Sequence, residues 1–164
     1  MKSKSQLYAV AIGTGSYIPS VVIKNSDFQE NNFLNEDGSK IETPGAEIVE
    51  KFQQITDIVE RRVAEDKYLN SDIATFAAID ALKSANYDPE KLDYIIVAHN
   101  LGDIKAGGRY PDLLPTISSR VKAKLKIQNP KCVAYDITLG CPGWTQAMLQ
   151  ARYYIRSGDA KSVL

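Results

Sequence analysis

The chain has 164 residues, of which 44% are hydrophobic and 24% charged, so it is long and apolar enough to bury a core as a globular domain. Twenty basic and twenty acidic side chains give a formal net charge of zero, which excludes an overall field that would attract nucleic acid or an anionic membrane. No apolar run approaches the ~20 residues of a membrane span, and two cysteines are too few for a disulfide scaffold, so we expect a cytoplasmic protein with free thiols.

The amino-terminal region predicts a strand followed by a short helix. Leu7 to Ile12 form an apolar run that is too short for a signal peptide, so we expect a buried first strand. The Gly13-Thr14-Gly15 turn after it lacks the third glycine and the acidic residue of a dinucleotide-binding fingerprint. Asn25-Ser26-Asp27 then carries side chains that suit a helix start.

A polar turn and a longer helix come next. Asp37 and Gly38 favour a turn within Asn35 to Lys40. Thr43 is a predicted N-cap, with Pro44 at the first helical position. The apolar stripe of the helix that follows consists of Ile48, Val49, Phe52 and Ile55.

The middle of the chain predicts a helix, a buried strand and a long loop. Asn70 or Ser71 caps a helix on which alanines recur at helical spacing, and this implies close packing of one face. Tyr94 to Ala98 is a continuous apolar run, typical of a strand covered on both faces. His99 to Leu113 holds three glycines and a proline without periodicity, and loops of that length in compact domains are usually functional.

Pro115 opens another predicted helix, which turns Ile117, Val121 and Leu125 inward. Its cationic side chains then face outward, and we interpret them as a solvated face, with an acidic protein partner as the alternative. These cations are Arg120, Lys122, Lys124 and Lys126.

The last part of the chain predicts a strand, a glycine-rich elbow and a helix. Cys132 to Ile137 is an apolar run, Gly140-Cys141-Pro142-Gly143 follows it, and the next helix ends at Gly158. Lys161 to Leu164 begins one more strand. This alternation of strands and helices predicts an α/β fold around a mostly parallel, mixed sheet.

Cys141 is the strongest candidate for chemistry. Between the end of a buried strand and the first turn of a helix, it is presented at a sharp, exposed elbow where Gly140 and Gly143 leave room for a substrate. The helix N-terminus offers unpaired N–H groups and positive potential, which favour the thiolate and can hold an oxyanion. The alternative is that Cys141 is only a small buried hydrophobe.

The other cysteine and the single histidine are weaker candidates. Cys132 lies at the start of an apolar strand after Pro130 and is predicted to be structural. His99 follows a buried strand and could face a cleft as a general base, although no local partner for it is evident. Two cysteines and one histidine are too few and too badly spaced for a zinc site, so no metal is expected.

Taken together, these segments resemble the β-ketoacyl-acyl carrier protein synthase III family of thiolase-type condensing enzymes along essentially the whole chain. Gly13 to Pro19 is similar to the family's opening strand and turn. Thr56 to Arg62 is similar to its Thr-Gly-Ile-x-Glu-Arg segment, with Asp57 in place of glycine. Asp93 to Ala98 matches its second strand, and Tyr135 to Gly143, the most specific match, its nucleophile region.

The resemblance implies that residues 1–164 are the amino-terminal half of a thiolase-like fold and that the carboxy-terminal half is absent. It implies that Cys141 accepts an acyl group from a thioester and that a malonyl-acyl carrier protein then decarboxylates and attacks it, in fatty acid biosynthesis. The substrates implied are acyl-coenzyme A or acyl carrier protein thioesters, with no bound cofactor. The histidine and asparagine that assist the second step lie in the other half of the family's fold, so we expect a fragment that is inactive alone.

Two more site residues and a dimer follow from the resemblance. Thr56 and Leu114 are implied to contact substrate. The Leu114-Pro115 step matches a Phe-Pro step of the family whose aromatic ring crosses the dimer interface into the partner's acyl pocket. Leu114 is therefore expected to help set acyl length, and the expected partners are acyl carrier protein and a second copy of the chain.

The chain also departs from the family's pattern. Lys51 stands where the family's coenzyme A-stacking tryptophan would align and Ile55 where an arginine is usual, which argues against delivery of the primer by coenzyme A in the ordinary pose. Leu139 and Pro142 replace small neighbours of the nucleophile and alter the pocket floor. Asn35 to Glu47 resembles an insertion near the entrance.

Two other functions stay open at this point. One is a thiolase-fold acyltransferase of a secondary or specialised lipid pathway. The other is a catalytically silent assembly partner whose elbow cysteine is a relic. Retention of an acyl group on Cys141 separates the two enzymes from the silent partner.

Overall fold

The computed structural model describes residues 7–164, which fall into two compact units. The first is formed by residues 7–17 and 66–164, and the second by residues 18–65. Each unit has its own two-stranded sheet among the described residues. No helix in this part of the chain is long and apolar enough to cross a membrane.

The second unit is a β-hairpin-like pair of strands joined by helical segments. Strands β1 (Val21–Lys24) and β2 (Glu60–Val63) pair antiparallel. A 3₁₀ helix, Asn25–Phe28, directly follows β1 and confirms the predicted helix start. Helix α1 (Gly45–Thr56) comes after the predicted polar turn, which is closed by a bridge between Leu34 and Lys40.

Helix α1 begins one residue later than the sequence predicts. Pro44 has ψ 136°, outside the helical region, and is itself the N-cap, so the predicted cap at Thr43 is wrong. Gly45 is the first helical residue, and a Cβ at this position would lie 1.9 Å from the backbone oxygen of Gln29. Only glycine therefore allows α1 to approach the preceding segment this closely.

A buried asparagine links the elements of this unit. The Asn25 amide Nδ2 donates to Gln53 Oε1 at 2.9 Å and to the Ile58 carbonyl at 2.7 Å. Its Oδ1 accepts from Arg61 Nη1 at 2.7 Å. Because every polar atom of the Asn25 side chain has a partner, its burial stabilises the contact between α1 and β2.

The first unit is built on a parallel pair of strands. Strands β3 (Tyr94–His99) and β4 (Val133–Thr138) run in parallel register from Tyr94 opposite Val133 to His99 opposite Thr138. Val163 adds a parallel bridge to Tyr94. The three strands predicted in this region are confirmed, the last of them as a single bridge.

Three helices cover the two faces of this sheet: α2 (Asn70–Ser84), α3 (Ile117–Lys124) and α4 (Gly143–Ser157). Ile95 belongs to a buried cluster with residues of α2 and α3, whereas the neighbouring Tyr94 ring stacks on Tyr154 of α4 with centroids 4.4 Å apart. Successive strand residues face opposite sides, so α4 covers one face and α2 with α3 the other. The predicted α/β architecture is confirmed. The buried cluster consists of Ala78, Leu92, Ile95, Ile117, Val121, Ile127 and Cys132.

The predicted starts of α2 and α3 are displaced by one or two residues. Leu69, not Asn70, is the N-cap of α2, because its amide donates to Asp72 Oδ2 at 2.9 Å. Thr116 caps α3 by accepting from Ser119 N at 3.2 Å, so this helix starts after Pro115 rather than at it.

The predicted first strand, Leu7 to Ile12, is wrong. Among the described residues no strand pairs with this segment, and its large apolar side chains are exposed. The segment leads into glycines that approach α2 closely: a Cβ at Gly15 would lie 2.3 Å from the backbone oxygen of Ala77. The alanine-rich face of α2 therefore does pack closely, as predicted, against backbone rather than against a strand.

The predicted solvated face of α3 is found only in part, because Lys124 and Lys126 are exposed whereas Arg120 and Lys122 are partly buried. Lys122 Nζ donates to the carbonyl oxygens of Asn129 at 2.9 Å and Cys132 at 2.6 Å, and Lys124 pairs with Asp72 of α2. Arg120 is also engaged, as described below. Long aliphatic stems let these side chains reach back to partners distant in sequence, which helical spacing alone does not reveal.

Candidate active site

Cys141 lies on the connection between β4 and α4, at the carboxyl end of the parallel strands. β4 ends at Thr138 and α4 begins at Gly143, so only four residues make the turn. The Cys141 side chain is exposed and its thiol is free. This is the edge of an open α/β sheet at which ligands bind in such folds.

Glycines shape the elbow on both sides of the cysteine. Gly140 has φ +73°, a left-handed conformation that residues with a side chain rarely adopt. The buried Gly143 donates its amide to Gly140 O at 3.0 Å, and a Cβ at Gly143 would lie 3.2 Å from Ala98 Cβ. The tight turn thus fixes Cys141 at the end of β4 and packs the start of α4 against β3.

The first turn of α4 supplies hydrogen-bond donors next to the cysteine. Gln146 N bonds back to the carbonyl of the N-cap Pro142 at 3.0 Å. The amides of Trp144 and Thr145 have no hydrogen-bond partner in the described chain, as expected for a helix start. Free amides and the positive end of the helix dipole favour an anion at this point, either a thiolate or an oxyanion.

The two cysteines have opposite settings, as the sequence predicts. Cys132 directly precedes β4 and is 3% exposed, within the apolar core. Burial raises the pKa of the Cys132 thiol, which keeps it in the unreactive form. Cys141 is exposed, so a reagent or substrate has access to it alone.

His99 does not face a cleft, contrary to the expectation for a general base. Its side chain is 5% exposed, and Nε2 lies 2.8 Å from Asp136 Oδ2 on the adjacent strand. The Asp136 carboxylate also accepts the amides of Ile117 at 2.7 Å and Ser118 at 2.8 Å, at the start of α3. The pair therefore links two strands and the start of a helix.

The Asp136 carboxylate is held in its charged form. Burial by itself raises its pKa, but hydrogen bonds from Ser118, His99 and Ile117 outweigh burial and lower the pKa below the ordinary value. Because an ionised carboxylate can only accept hydrogen bonds, His99 Nε2 is the donor in its contact with Asp136.

The long loop after β3 is anchored by a buried ion pair. Asp103 is buried and accepts Ser71 N and Oγ, both at 2.7 Å, and Arg120 Nη1 at 2.8 Å. Arg120 Nη2 reaches Asp112 at 2.9 Å, and Asp103 and Asp112 also form an antiparallel bridge. The loop is therefore held at Asp103 and at Asp112, while the segment between these two aspartates is exposed.

The other site residues predicted from the resemblance lie in both units. Leu114 is 78% exposed, at the end of the long loop in the first unit. Thr56 belongs to the second unit, where its Oγ1 donates to the Phe52 carbonyl at 2.7 Å and accepts Ile58 N at 3.3 Å. Lys51 and Ile55 are exposed on α1. The substrate contacts expected of Thr56 and Leu114 stay predictions.

Sequence reasoning missed the residues that support the elbow. Asp136 is a single carboxylate within an otherwise apolar strand. Because a buried charge is costly without hydrogen-bond donors, its position in the sequence indicated that donors lie close to it in the fold. Asn100, the first residue after β3, gave no signal beyond its position. Within residues 7–164, no group of three or more His, Cys, Asp and Glu side chains is placed to hold a metal ion.

No family model matches the chain, but curated proteins do. The β-ketoacyl-acyl carrier protein synthase III of Xanthomonas campestris pv. campestris strain 8004 is 32% identical over 160 residues, which are 97% of this chain and 42% of that protein. The synthase III 1 of Vibrio cholerae serotype O1 is 33% identical over 158 residues, 96% of this chain and 43% of that protein. The chain thus spans about two fifths of the length of the curated relatives it matches.

Solved structures are similar over the same region. The β-ketoacyl-acyl carrier protein synthase III from Thermus thermophilus has a TM-score of 0.71 at 31% identity and covers 94% of this chain and 41% of its own. The 3-oxoacyl-acyl carrier protein synthase III from Aquifex aeolicus VF5 has a TM-score of 0.72 at 31% identity, covering 97% and 43%. The fold is therefore the amino-terminal half of a thiolase-like fold, and over this half the chain is similar to the β-ketoacyl-acyl carrier protein synthases III.

Proposed function

We propose that the chain is the nucleophile-bearing part of an acyltransferase that forms a carbon–carbon bond by decarboxylative condensation in fatty acid biosynthesis. The observation that carries the proposal is the exposed Cys141 on a glycine elbow at the start of α4. The names of the relatives support the reaction class. No bound cofactor is needed, because both substrates are activated as thioesters.

The first step transfers an acyl group to Cys141. The Cys141 sulfur attacks the thioester carbonyl, a carbon–sulfur bond forms, and the tetrahedral intermediate carries its negative charge on oxygen. When this intermediate collapses, the bond to the donor's sulfur breaks, and the donor leaves as a thiol after taking up the proton that Cys141 lost. Free amides at the start of α4 are suited to hold the oxyanion.

The second step joins the two carbon chains. A malonyl-acyl carrier protein loses carbon dioxide, and the electron pair of the broken bond attacks the acyl group on Cys141. The new carbon–carbon bond forms as the bond to the Cys141 sulfur breaks, which returns the thiolate. The resemblance assigns the donors that stabilise the decarboxylating thioester to a histidine and an asparagine beyond the part of the family that this chain matches.

The substrate and partners proposed follow the resemblance. We propose acyl-coenzyme A or acyl carrier protein thioesters as primers, a cytoplasmic homodimer, Thr56 as a substrate contact and Leu114 as a determinant of acyl length. Lys51 exposes an amine where the resemblance places a stacking tryptophan, and Ile55 exposes an aliphatic chain where it places an arginine. Both replacements favour delivery by a carrier protein over coenzyme A.

A product assay tests the proposed function. Full-length protein, meaning residues 1–164 together with the carboxy-terminal half that the resemblance implies, is incubated with a radioactive short acyl thioester and malonyl-acyl carrier protein. Labelled β-ketoacyl product is then measured. We expect product from the wild type, none from Cys141→Ser and undiminished product from Cys132→Ser, whose cysteine is buried away from the elbow. Residues 1–164 alone should form no product, and robust turnover by them would contradict the assigned mechanism.

A second candidate function is the same chemistry in a specialised lipid pathway. The replacement of small residues next to Cys141 favours it. Leu139 and Pro142 flank Cys141, and Leu139 is half exposed beside it. A panel of straight, branched and aromatic primers separates the two candidates. Preference for a short straight primer supports fatty acid synthesis, and exclusive use of another primer supports the specialised pathway.

A further inference from the structure

Asn100 is a polar side chain placed beside the elbow without an assigned role. It is the first residue after β3, and β4, the adjacent parallel strand, leads to Cys141. A Cβ built on Gly140 would lie 3.8 Å from Asn100 Oδ1, which is ordinary van der Waals contact. The Asn100 amide therefore adjoins the residue immediately before the nucleophile.

The backbone around Asn100 is held while its side chain is not. His99, one residue before it, is tied to Asp136, and the Leu101 carbonyl, one residue after it, accepts Asn70 Nδ2 at 3.3 Å. The Asn100 side chain is exposed and has no hydrogen-bond partner in the described residues. A fixed backbone that presents a free amide is a suitable arrangement for a group that binds substrate.

The chemistry of the elbow needs a neutral donor of this kind. Attack of the Cys141 sulfur moves negative charge onto the thioester oxygen, and a carboxylate next to it would oppose that charge. An asparagine amide offers two N–H donors without carrying a charge. His99 cannot serve, because its Nε2 is directed to Asp136 and its side chain is buried.

We propose that Asn100 Nδ2 donates a hydrogen bond to the carbonyl oxygen of the acyl thioester while Cys141 attacks it. The proposal rests on the proposed function, since it adds a substrate-contacting residue to that reaction. The bond changes are those of the first step: the Cys141 sulfur bonds to the carbonyl carbon, and the donor leaves as a thiol with the proton. Asn100 is neither protonated nor deprotonated in this step.

The test compares acylation with alkylation of the same thiol. Acylation of Cys141 in full-length protein by the butyryl thioester of N-acetylcysteamine is followed by intact mass, and iodoacetamide alkylation gives the reactivity of the thiol alone. In alkylation, the Cys141 thiolate displaces iodide from the CH₂ group of iodoacetamide. This reaction places no negative charge on a carbonyl oxygen. The variants are Asn100→Leu, which keeps the shape, Asn100→Asp, which replaces the donor by an anion, and the control Asn32→Leu, at an exposed asparagine of the second unit.

We expect Asn100→Leu to slow acylation by about a hundredfold or more, and Asn100→Asp at least as much, because one oxyanion donor is lost. Alkylation should change less than about twofold in both variants, and Asn32→Leu should match the wild type in both reactions. Equal acylation by wild type and Asn100→Leu overturns the inference alone. A parallel loss of alkylation also overturns it, since it marks a disturbed elbow. No acylation of the wild type overturns the proposed function itself.

Discussion

His99 Nε2 lies 2.8 Å from Asp136 Oδ2, and this contact joins the carboxyl ends of β3 and β4. The same carboxylate caps α3 by accepting the amides of Ile117 and Ser118. Ala98, the residue before His99, lies against the elbow, because a Cβ at Gly143 would be 3.2 Å from Ala98 Cβ. The buried pair therefore links β3, β4 and the start of α3, and β4 leads directly to the elbow that carries the nucleophile.

Removing the charge of Asp136 should destabilise the first unit. Asp136→Asn keeps the shape but loses the anion and one acceptor, while its donors stay buried. We expect the free energy of unfolding to fall by about 2 kcal/mol, the typical worth of a hydrogen bond to a charged group. Urea denaturation measures the change, and Asp159→Asn, an exposed site, should leave the midpoint in place. Equal midpoints for Asp136→Asn and wild type would argue against the tie.

The contribution of Asp136 should also depend on pH. Hydrogen bonds hold the pKa of Asp136 below its ordinary value in the folded state, so the folded state binds fewer protons than the unfolded state. The stabilisation is then fully present above the unfolded carboxyl pKa of about 4 and is lost as pH falls through the lower folded pKa. The advantage of wild type over Asp136→Asn should shrink below pH of about 4. A constant difference across this range would show that the charge is not the cause.

Asp57 stands in a conformation that favours glycine. It ends α1 with φ 56° and ψ 18°, in the left-handed region, at the position where the family segment resembled by this chain has glycine. Asp57→Gly should raise the free energy of unfolding by about 0.5 to 1 kcal/mol, since a side chain is disfavoured there. Asp57→Ala removes the same charge but keeps a Cβ, and it should be less stable than Asp57→Gly. The reverse order in urea denaturation would contradict this reading of the turn.

The thiols should react at very different rates. Brief iodoacetamide treatment of the folded protein followed by peptide mapping should modify Cys141 well before Cys132, because Cys132 is buried in the core and burial raises its pKa. In urea the two should react alike. Preferential modification of Cys132 in the folded protein would overturn the assignment of the nucleophile.

Leu114 should lie in a dimer interface. The resemblance implies that the Leu114-Pro115 step lies at the dimer interface, and Leu114 is 78% exposed, so its side chain is accessible to a second copy. Full-length protein should be a dimer by light scattering at micromolar concentration, and Leu114→Asp should weaken it. Leu34→Asp, at an exposed leucine of the other unit, is the matched control. A monomeric wild type would remove the support for the dimer.

Local patterns predicted the elbow and the strands β3 and β4, but they predicted neither β1 nor β2. The turn was predictable because the residues Gly140 to Gly143 favour a turn by their own conformational preferences. The strands β3 and β4 were predictable because each is a continuous apolar run, and the two pair with each other. The segment Leu7 to Ile12 shows the limit of such patterns. An apolar run becomes a strand only when another strand pairs with it, and periodicity does not show the partner.

Interactions between residues distant in sequence could not be predicted. His99 and Asp136 are 37 residues apart, so neither position indicated that the imidazole would point inward. Arg120 looked solvated on a helix, yet its guanidinium reaches Asp103, 17 residues earlier. In both cases tertiary contacts, rather than local spacing, decide where a charged side chain points.

Whether Cys141 carries the acyl group is decided by the mass of the acylated protein. Full-length wild type is mixed with a short acyl thioester, and the reaction is quenched. The protein is then digested, and the mass of the peptide that contains Cys141 is measured by mass spectrometry. We predict one added acyl group on that peptide, retained in Cys132→Ser and absent in Cys141→Ser. An acyl group found elsewhere, or none on Cys141 of a folded wild type, would contradict the claim that this thiol carries the substrate.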